Sequence, residues 1–164
     1  KENTMAYQFK AELIKVVDGD TIDADIDLGF DIFMRDRIRL MGIDTPESRT
    51  RNLAEKSWGM AAKHRLIELL AEADGKFTLH TEEMAKGKFG RVLGTIVING
   101  RDANQVLIEE NLAIPYEGGN KDESRTKFGV MELWNTDYEN PQEHEDDHEH
   151  GDENPEAHID WHEH

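Results

Sequence analysis

The first forty residues alternate between apolar and polar side chains in three successive stretches, and this pattern constrains the fold more than any other in the chain. The stretches cover residues 7–13, 22–28 and 32–40, and turn-forming residues separate them at 18–21 and 29–31. A period of two places successive side chains on opposite faces of a β-strand, so each stretch is expected to bury one face. The sequence therefore predicts three consecutive strands.

The turn at 29–31 also sets the register of the second and third strands. It places Asp23 opposite Arg37 and Asp25 opposite Arg35, so that apolar residues face apolar residues across the pair. Aspartates at alternate positions of one strand are also compatible with a metal site. Because the partner arginines are already present, we favour a solvent-exposed ladder of salt bridges.

The rest of the chain, up to about residue 134, alternates between short strands and helices. Residues 58–70 carry an apolar stripe at helical spacing, which predicts a helix with one buried face. The stripe consists of Trp58, Ala62, Leu66, Leu69 and Leu70. The other predicted strands are one that ends at Pro46 and two over 76–81 and 92–98, the last of which enters a hairpin turn at Asn99 and Gly100. A short helix is predicted from its cap at Asp102 to near Asn111. An extended segment over 112–116 and a weak helix over 122–134 follow.

The last thirty residues differ from the rest in composition. Residues 135–164 contain twelve acidic side chains, no lysine or arginine, and six of the eight histidines. Without this segment the formal net charge changes from −17 for the whole chain to −5 for residues 1–134. A segment this polar cannot bury enough apolar surface to offset its ordering entropy, so we predict a folded domain over 1–134 and a disordered acidic, His-rich tail. A domain at −5 remains compatible with a polyanionic partner if its basic groups cluster.

Histidines are concentrated in the tail, where they could bind an accessory metal. The candidate ligands are His144, His148, His150, His158, His162 and His164. Only His64 and His80 lie within 1–134, and we predict structural roles for both.

Several classes of protein are disfavoured by what the sequence lacks. It has no cysteine, which excludes disulfides, thiolate metal sites and a cysteine nucleophile. No apolar run reaches the roughly 18–20 residues of a membrane span, so no membrane association is expected. The first residues lack the basic and then apolar layout of a signal peptide, which leaves an intracellular and a mature secreted form both open. A monomer is the default expectation.

Carboxylates and arginines near strand ends point to metal-assisted chemistry on a phosphate. Asp20 lies in a glycine-containing turn, and Asp44 lies at a strand end. Two such carboxylates together with a backbone carbonyl provide hard oxygen ligands, which suit Ca²⁺ or Mg²⁺. Glu47 could deprotonate a water beside that metal. Arg39 projects from the strand before Asp44, and Arg91 lies on a glycine-flanked turn that could reach the same place. A guanidinium binds two oxygens of a phosphorane at once, so this set matches the needs of phosphodiester hydrolysis.

Three motifs, in this order along the chain, resemble those of the staphylococcal nuclease family. They are VDGDT at 17–21, RLMGIDTPE at 39–47 and KFGR at 88–91, and NLA at 111–113 resembles the family's Gly-Leu-Ala step with asparagine in place of glycine. The resemblance implies an α+β fold, an OB-type five-stranded β-barrel with about three helices. It also implies a Ca²⁺-dependent nuclease that hydrolyses DNA and RNA with little sequence preference and leaves 3′-phosphates. Mg²⁺ and Mn²⁺ are alternative metals.

Carried over position by position, the resemblance implies a role for each site residue. The family's metal carboxylates fall on Asp20 and Asp44, with the backbone carbonyl of Thr45 as a further ligand. Its transition-state arginines fall on Arg39 and Arg91, and its general base falls on Glu47.

The substrate contacts that the resemblance implies are less complete. Lys88 and Phe89 correspond to the lysine and the aromatic residue beside the second arginine, and Phe89 lacks the hydroxyl of the usual tyrosine. Tyr116 is the only counterpart of a tyrosine pair that stacks on the nucleotide. The segment between Asp20 and Arg39 is longer than usual. These departures bear on substrate affinity rather than on the catalytic core.

Two other classes of function stay open on the sequence alone. The first is a catalytically silent nucleic-acid-binding module of the same fold, although such domains typically lack the arginines and carboxylates that are all present here. The second is a metal-buffering or histidine-rich interaction protein, which would account for the tail and leave the motifs of the domain unexplained. We therefore retain it only as an accessory role.

Overall fold

The computed structural model describes residues 7–82, 86 and 90–139, and these fold into strands packed with three α-helices. The strands are β1 (Tyr7–Asp18), β2 (Thr21–Gly29), β3 (Ile32–Leu40), β4 (Ile43–Asp44), β5 (Lys76–Thr81), β6 (Val92–Ile98), β7 (Arg101–Asp102) and β8 (Ile114–Pro115). The helices are α1 (Leu53–Ala71), α2 (Ala103–Glu109) and α3 (Lys121–Lys127), and a 3₁₀ helix covers Leu133–Asn135. None of the helices in this part of the chain is long and apolar enough to cross a membrane.

Five of the strands close into a barrel. β1 pairs antiparallel with both β2 and β5, β2 pairs with β3, and β5 pairs with β6. The circle closes because β3 and β6 run parallel, with Ile38 opposite Val92 and Arg39 opposite Leu93. The predicted α+β class and five-stranded barrel are thus confirmed. The parallel closure also brings the end of β3 next to the start of β6, where predicted site residues lie.

The hairpin of β2 and β3 has the predicted register. Arg35 donates to the two carboxylate oxygens of Asp25 at 2.8 and 3.1 Å, and Arg37 donates to Asp23 at the same two distances. Among the described residues, no group of three or more His, Asp or Glu side chains is arranged to hold a metal, here or elsewhere. The salt-bridge interpretation of the alternate aspartates is therefore the one that the structure supports. Exposed ion pairs contribute only about 0–1 kcal/mol each, so the ladder is expected to add little stability.

Helix α1 packs its apolar stripe against the barrel. The five stripe residues are buried and belong to the same core cluster as the barrel interior, whose fully buried side chains include Leu13, Ile22, Ile38, Leu40, Leu79 and Ile96. Asn52 caps the helix, since its side chain accepts hydrogen bonds from the amides of Ala54 and Glu55. The predicted core helix is confirmed. It fixes the position of the loop between β4 and α1, which carries Glu47.

The segment predicted as one weak helix over 122–134 forms two shorter helices. α3 ends because Gly129 adopts a φ of +75°. Its amide donates to the carbonyl of Thr126, and the following amide donates to the carbonyl of Arg125. This glycine-based ending satisfies the last carbonyls of the helix and turns the chain away. The structure thus corrects the predicted extent, and Gly129 was itself the stop signal in the sequence.

Contacts with the domain continue past residue 134. Trp134 is buried, and its indole nitrogen donates to the carbonyl of Asn111 at 3.2 Å. The indole nitrogen of Trp58 donates to the carbonyl of Thr136 at 2.6 Å, and the ring of Tyr138 meets Trp58 edge-on with centroids 4.9 Å apart. No local pattern in the sequence predicts these contacts. The tail from residue 140 onward, with its six histidines, lies outside the described residues.

Candidate active site

Asp20 and Arg39 meet where the turn between β1 and β2 lies beside the end of β3. The strand register places Thr21 opposite Arg39, and the amide of Leu40 donates to the carbonyl of Asp20 at 2.8 Å. Arg39 Nη1 lies 3.5 Å from Asp20 Oδ2, and the hydroxyl of Thr21 donates to Asp20 Oδ1 at 2.9 Å. The structure therefore brings one predicted metal carboxylate next to one predicted transition-state arginine.

The guanidinium of Arg39 is also held by the backbone. Its Nη1 donates to the carbonyl of Leu40 at 2.8 Å and its Nη2 to the carbonyl of Ile43 at 3.0 Å. These bonds span the connection between β3 and β4, so Arg39 links Asp20 to the strand that ends in Asp44. A charged group already fixed in this way loses little further freedom when it binds a phosphate.

Asp44 is a buried carboxylate that pairs with two cations from α3. Its side chain is only 1% exposed. Arg125 Nε lies 3.0 Å from Oδ2, and Lys121 Nζ lies 3.5 Å from Oδ1. Oδ1 accepts no hydrogen bond from any described residue. A buried charge is stable only when it is paired, so this oxygen has the capacity for a further cation.

Arg125 connects Asp44 to the rest of the site. Its Nη2 donates to the carbonyl of Thr45 at 3.2 Å, and its Nη1 donates to Glu55 Oε2 at 2.9 Å. The same Glu55 oxygen accepts a hydrogen bond from the amide of Glu47 at 2.9 Å. Burial by itself would lower the pKa of Arg125, but the hydrogen bonds and charges of Asp44 and Glu55 raise it above its ordinary value. The guanidinium is therefore a permanent cation in this network.

The carboxyl of Glu47, which the sequence predicts as a general base, has a raised pKa. Much of the side chain is accessible to solvent, yet neighbouring groups partly desolvate the carboxyl, and this burial raises its pKa above the ordinary value. The negative charges of Asp20 and Glu55 raise the pKa further, while Lys121 and Arg125 oppose them. A raised pKa strengthens the carboxylate as a proton acceptor near neutral pH.

Arg91 immediately precedes β6 on the barrel. Because Val92 pairs with Ile38, the backbone of Arg91 lies next to the stretch of β3 that leads into Arg39. Gly90 has a φ of +71°, which fits the predicted glycine turn. The register thus places the backbones of both predicted arginines at one end of the β3–β6 pair.

The predicted substrate contacts are only partly within the described residues. Lys88 and Phe89 lie outside them, and their roles stay predictions. The amide of Tyr116 donates to the carbonyl of Gly42 at 2.8 Å, and its hydroxyl donates to Gly119 at 2.7 Å. Lys121 Nζ stands 5.9 Å from the centre of the Tyr116 ring, so Tyr116 adjoins the cation that pairs with Asp44.

Three residues of the network were missed by sequence reasoning. They are Glu55, Lys121 and Arg125, which join Asp44, Thr45 and Glu47 through side-chain contacts. The available signal was the spacing of Lys121 and Arg125, which places two cations on one face of a helix. By contrast, His64 is exposed on α1 and His80 is half-buried on β5, and their structural roles stay predictions.

Gly59 lets α1 approach the loop that carries Glu47. A Cβ atom at this position would lie 2.6 Å from the amide nitrogen of Ser48 and closer still to the carbonyl of Glu47. We expect Gly59→Ala to displace the loop and to lower the free energy of unfolding by about 1–3 kcal/mol. Urea titration measures this effect, with the exposed Lys56→Ala on the same helix as the control. Parent-like stability in Gly59→Ala would show that the loop has room to move.

The closed barrel, with acidic and basic side chains gathered at strand ends, defines an OB-type α+β domain. The chain belongs to the staphylococcal nuclease family, since the family model described as staphylococcal nuclease homologue matches residues 37–133. That match includes Arg39, Asp44, Glu47, Arg91 and Arg125, and it begins after Asp20.

Curated relatives include nucleases from several bacteria. The chain is 28% identical to endonuclease YncB of Bacillus subtilis over 133 residues, which cover 74% of the chain and 60% of the relative. It is 32% identical to thermonuclease of Staphylococcus intermedius over 114 residues, covering 69% of the chain and 64% of the relative. It is 27% identical to micrococcal nuclease of Shigella flexneri over 117 residues, covering 66% and 59%. The chain thus spans about six-tenths of the length of these relatives.

Proposed function

We propose that the protein is a divalent-metal-dependent nuclease that hydrolyses phosphodiester bonds of DNA and RNA with low sequence specificity. One observation carries the proposal: Asp20, Arg39, Asp44 and Glu47 belong to one continuous network at the end of the barrel. Arg39 joins Asp20 to Ile43, the residue before Asp44 in β4, and Arg125 and Glu55 join Asp44 to the backbone of Glu47. The chain's family and the names of its relatives support a nuclease.

Asp20, Asp44 and the carbonyl of Thr45 are the groups proposed to hold the metal. All three are hard oxygen donors, which suit Ca²⁺ first and Mg²⁺ or Mn²⁺ as alternatives. The buried Oδ1 of Asp44, which accepts no hydrogen bond from the described residues, fits a cation ligand. When bound, such a metal supplies positive charge that polarises the phosphate and neutralises its oxygens.

Glu47 is the proposed general base. Its carboxylate accepts a proton from a water molecule while the water oxygen forms a bond to phosphorus. The bond between phosphorus and the 5′ oxygen breaks, and that oxygen takes up a proton from solvent and leaves as a hydroxyl. The products are a 3′-phosphate and a 5′-hydroxyl end, as the resemblance implies.

Arg39 and Arg91 are proposed to stabilise the five-coordinate phosphorane. Negative charge grows on its equatorial oxygens, and donors that are already oriented stabilise that charge without reorganising. The hydrogen bonds of Arg39 to Leu40 and Ile43 support such a role. Lys88, Phe89 and Tyr116 are proposed to contact the substrate beyond the scissile phosphate.

A cleavage assay tests the proposal. The full-length protein is stripped with a chelator, one metal is restored at a time, and single-stranded DNA, double-stranded DNA and RNA are offered as end-labelled substrates. We expect cleavage of all three with Ca²⁺, Mg²⁺ or Mn²⁺ restored, and products whose 3′ ends lose phosphate to a phosphatase. Cleavage that survives chelation, or that is absent with every metal, contradicts the proposal.

The metal prediction is tested by removing one ligand. Asp20→Ala should lower activity and weaken the metal dependence together, because one of only two proposed carboxylate ligands is lost. His64→Ala is the control, since this exposed histidine lies outside the network, and it should change neither property. Turnover is measured as a function of metal concentration for both variants. An unchanged metal dependence in Asp20→Ala removes Asp20 from the ligand set.

A catalytically silent nucleic-acid-binding module is the second candidate function. One observation favours it: Arg125 and Lys121 both pair with Asp44, so two side chains balance the charge of this carboxylate, as a module that binds no metal would require. The two functions separate cleanly, because a silent module binds labelled DNA without shortening it in the assay above. The presence of Glu47, Arg39 and Arg91 together favours the nuclease.

A further inference from the structure

We propose that Arg125 is a positioning residue for the metal site, whereas Lys121 only balances charge until a divalent cation arrives. The inference rests on the proposed function and adds to it two residues of α3. Both side chains pair with the same carboxylate, Asp44, yet they do so in different ways. That difference carries the argument.

Arg125 holds three groups of the site at once. Its Nε, Nη2 and Nη1 donate to Asp44 Oδ2, to the carbonyl of Thr45 and to Glu55 Oε2 at 3.0, 3.2 and 2.9 Å. The same oxygen of Glu55 accepts a hydrogen bond from the backbone amide of Glu47 at 2.9 Å, and this bond restrains Glu47 as well. A planar guanidinium with five donors fixes the relative orientation of its acceptors, which a lysine ammonium does not do. One side chain thus sets the geometry of two proposed metal ligands and of the segment that carries the base.

The guanidinium is itself immobilised. Its side chain is 11% exposed, and its central carbon lies 5.0 Å from the centre of the Trp134 ring. Trp134 is buried, and its indole nitrogen donates a hydrogen bond to the carbonyl of Asn111. Stacking on an aromatic face stabilises an arginine and restricts its rotation. Arg125 therefore stays in place when the charge on Asp44 changes.

Lys121 is held more loosely than Arg125, by one contact with Asp44 and by the Tyr116 ring, whose centre lies 5.9 Å from its Nζ. Its side chain is 44% exposed, and it meets Asp44 Oδ1 at 3.5 Å. A divalent cation at Oδ1 carries more charge than an ammonium, and the long exposed stem of Lys121 can withdraw into solvent. Arg125 keeps Oδ2 occupied, so Asp44 is expected to offer only Oδ1 to the metal.

Calcium titration of the chelated full-length protein by calorimetry tests this division of roles. Arg125→Gln and Lys121→Gln each remove one positive charge next to the same carboxylate, so simple electrostatics predicts tighter calcium binding in both. We expect Arg125→Gln instead to weaken binding at least about tenfold, as is usual for residues that orient metal ligands. Lys121→Gln should bind calcium as tightly as the parent or more tightly, because the lost ammonium meets Asp44 Oδ1 only at 3.5 Å and no longer competes with the cation for that oxygen. The heat of calcium binding that persists in Asp20→Ala comes from other sites, such as the acidic tail. This heat is subtracted from the titrations of the other variants.

Two further variants keep the test decisive if Arg125→Gln does not fold, as judged by circular dichroism. Arg125→Lys keeps the charge and loses the planar donor set, and it should also weaken binding. Glu55→Ala removes the oxygen that accepts hydrogen bonds from both Arg125 and the Glu47 amide, and it should lower turnover while calcium affinity changes less than in Arg125→Lys. Parent-like or tighter calcium binding in both Arg125 variants overturns the inference and leaves the nuclease intact. A parent that neither binds calcium at Asp20 nor cleaves nucleic acid overturns the proposed function and the inference together.

Discussion

Replacing Glu47 by glutamine is expected to lower turnover on DNA at least about a hundredfold, the usual scale for a positioned acid–base group. The amide cannot accept the proton of the attacking water, and it has nearly the same shape as the carboxyl. Burial and the charges of Asp20 and Glu55 raise the pKa of this carboxyl, so the substitution removes a base that its surroundings strengthen. Turnover is measured at saturating substrate and metal, where changes in binding do not enter.

Glu72→Gln is the matched control for Glu47→Gln. Glu72 follows the C-terminal end of α1, where its carboxylate lies 4.0 Å from Arg101 and is half exposed, and it is absent from the network of the site. Both variants should unfold at the same urea concentration as the parent, because neither substitution removes a buried contact. Only Glu47→Gln should be slow. Equal turnover in the two variants excludes Glu47 as the base.

Local pattern was sufficient for the part of the fold that is built from neighbours in the chain. The register of β2 and β3 followed from one turn and from charge pairing, and Arg35 and Arg37 meet Asp25 and Asp23 as expected. The apolar stripe of α1 likewise needed only helical spacing. In such elements the side-chain period and the turn together leave one arrangement that buries apolar faces.

The interactions that complete the site could not be predicted in this way. Arg125 reaches Asp44 across 81 positions of the chain and Glu55 across 70. No hydrophobic period and no helix cap encodes such a pair, because the pair depends on how α3 docks on the rest of the domain. That docking is set by Gly129, where the chain turns, and by the buried Trp134. The carboxylates and arginines of the proposed site could be predicted because they lie within short motifs, whereas Lys121 and Arg125, which pair with Asp44, come from a distant helix.

Arg39→Lys and Arg91→Lys are each expected to lower kcat by about a hundredfold to a thousandfold, a loss of about 3–4 kcal/mol of transition-state stabilisation. Lysine keeps the charge and loses the planar pair of donors that can bind two phosphorane oxygens at once. For Arg39 the loss has a second part, since the bonds to the carbonyls of Leu40 and Ile43 that orient the group also disappear.

Arg35→Lys on the same strand separates chemistry from general attraction to nucleic acid. Arg35 and Arg39 project from the same face of β3, but Arg35 bonds Asp25 in the exposed ladder and does not belong to the site network. Its replacement should leave kcat unchanged. The salt dependence of the Michaelis constant should be the same in all three lysine variants, because each keeps its positive charge. If Arg39→Lys and Arg91→Lys also cleave like the parent, a point charge suffices at both positions, and the two-oxygen contact proposed for the phosphorane is wrong.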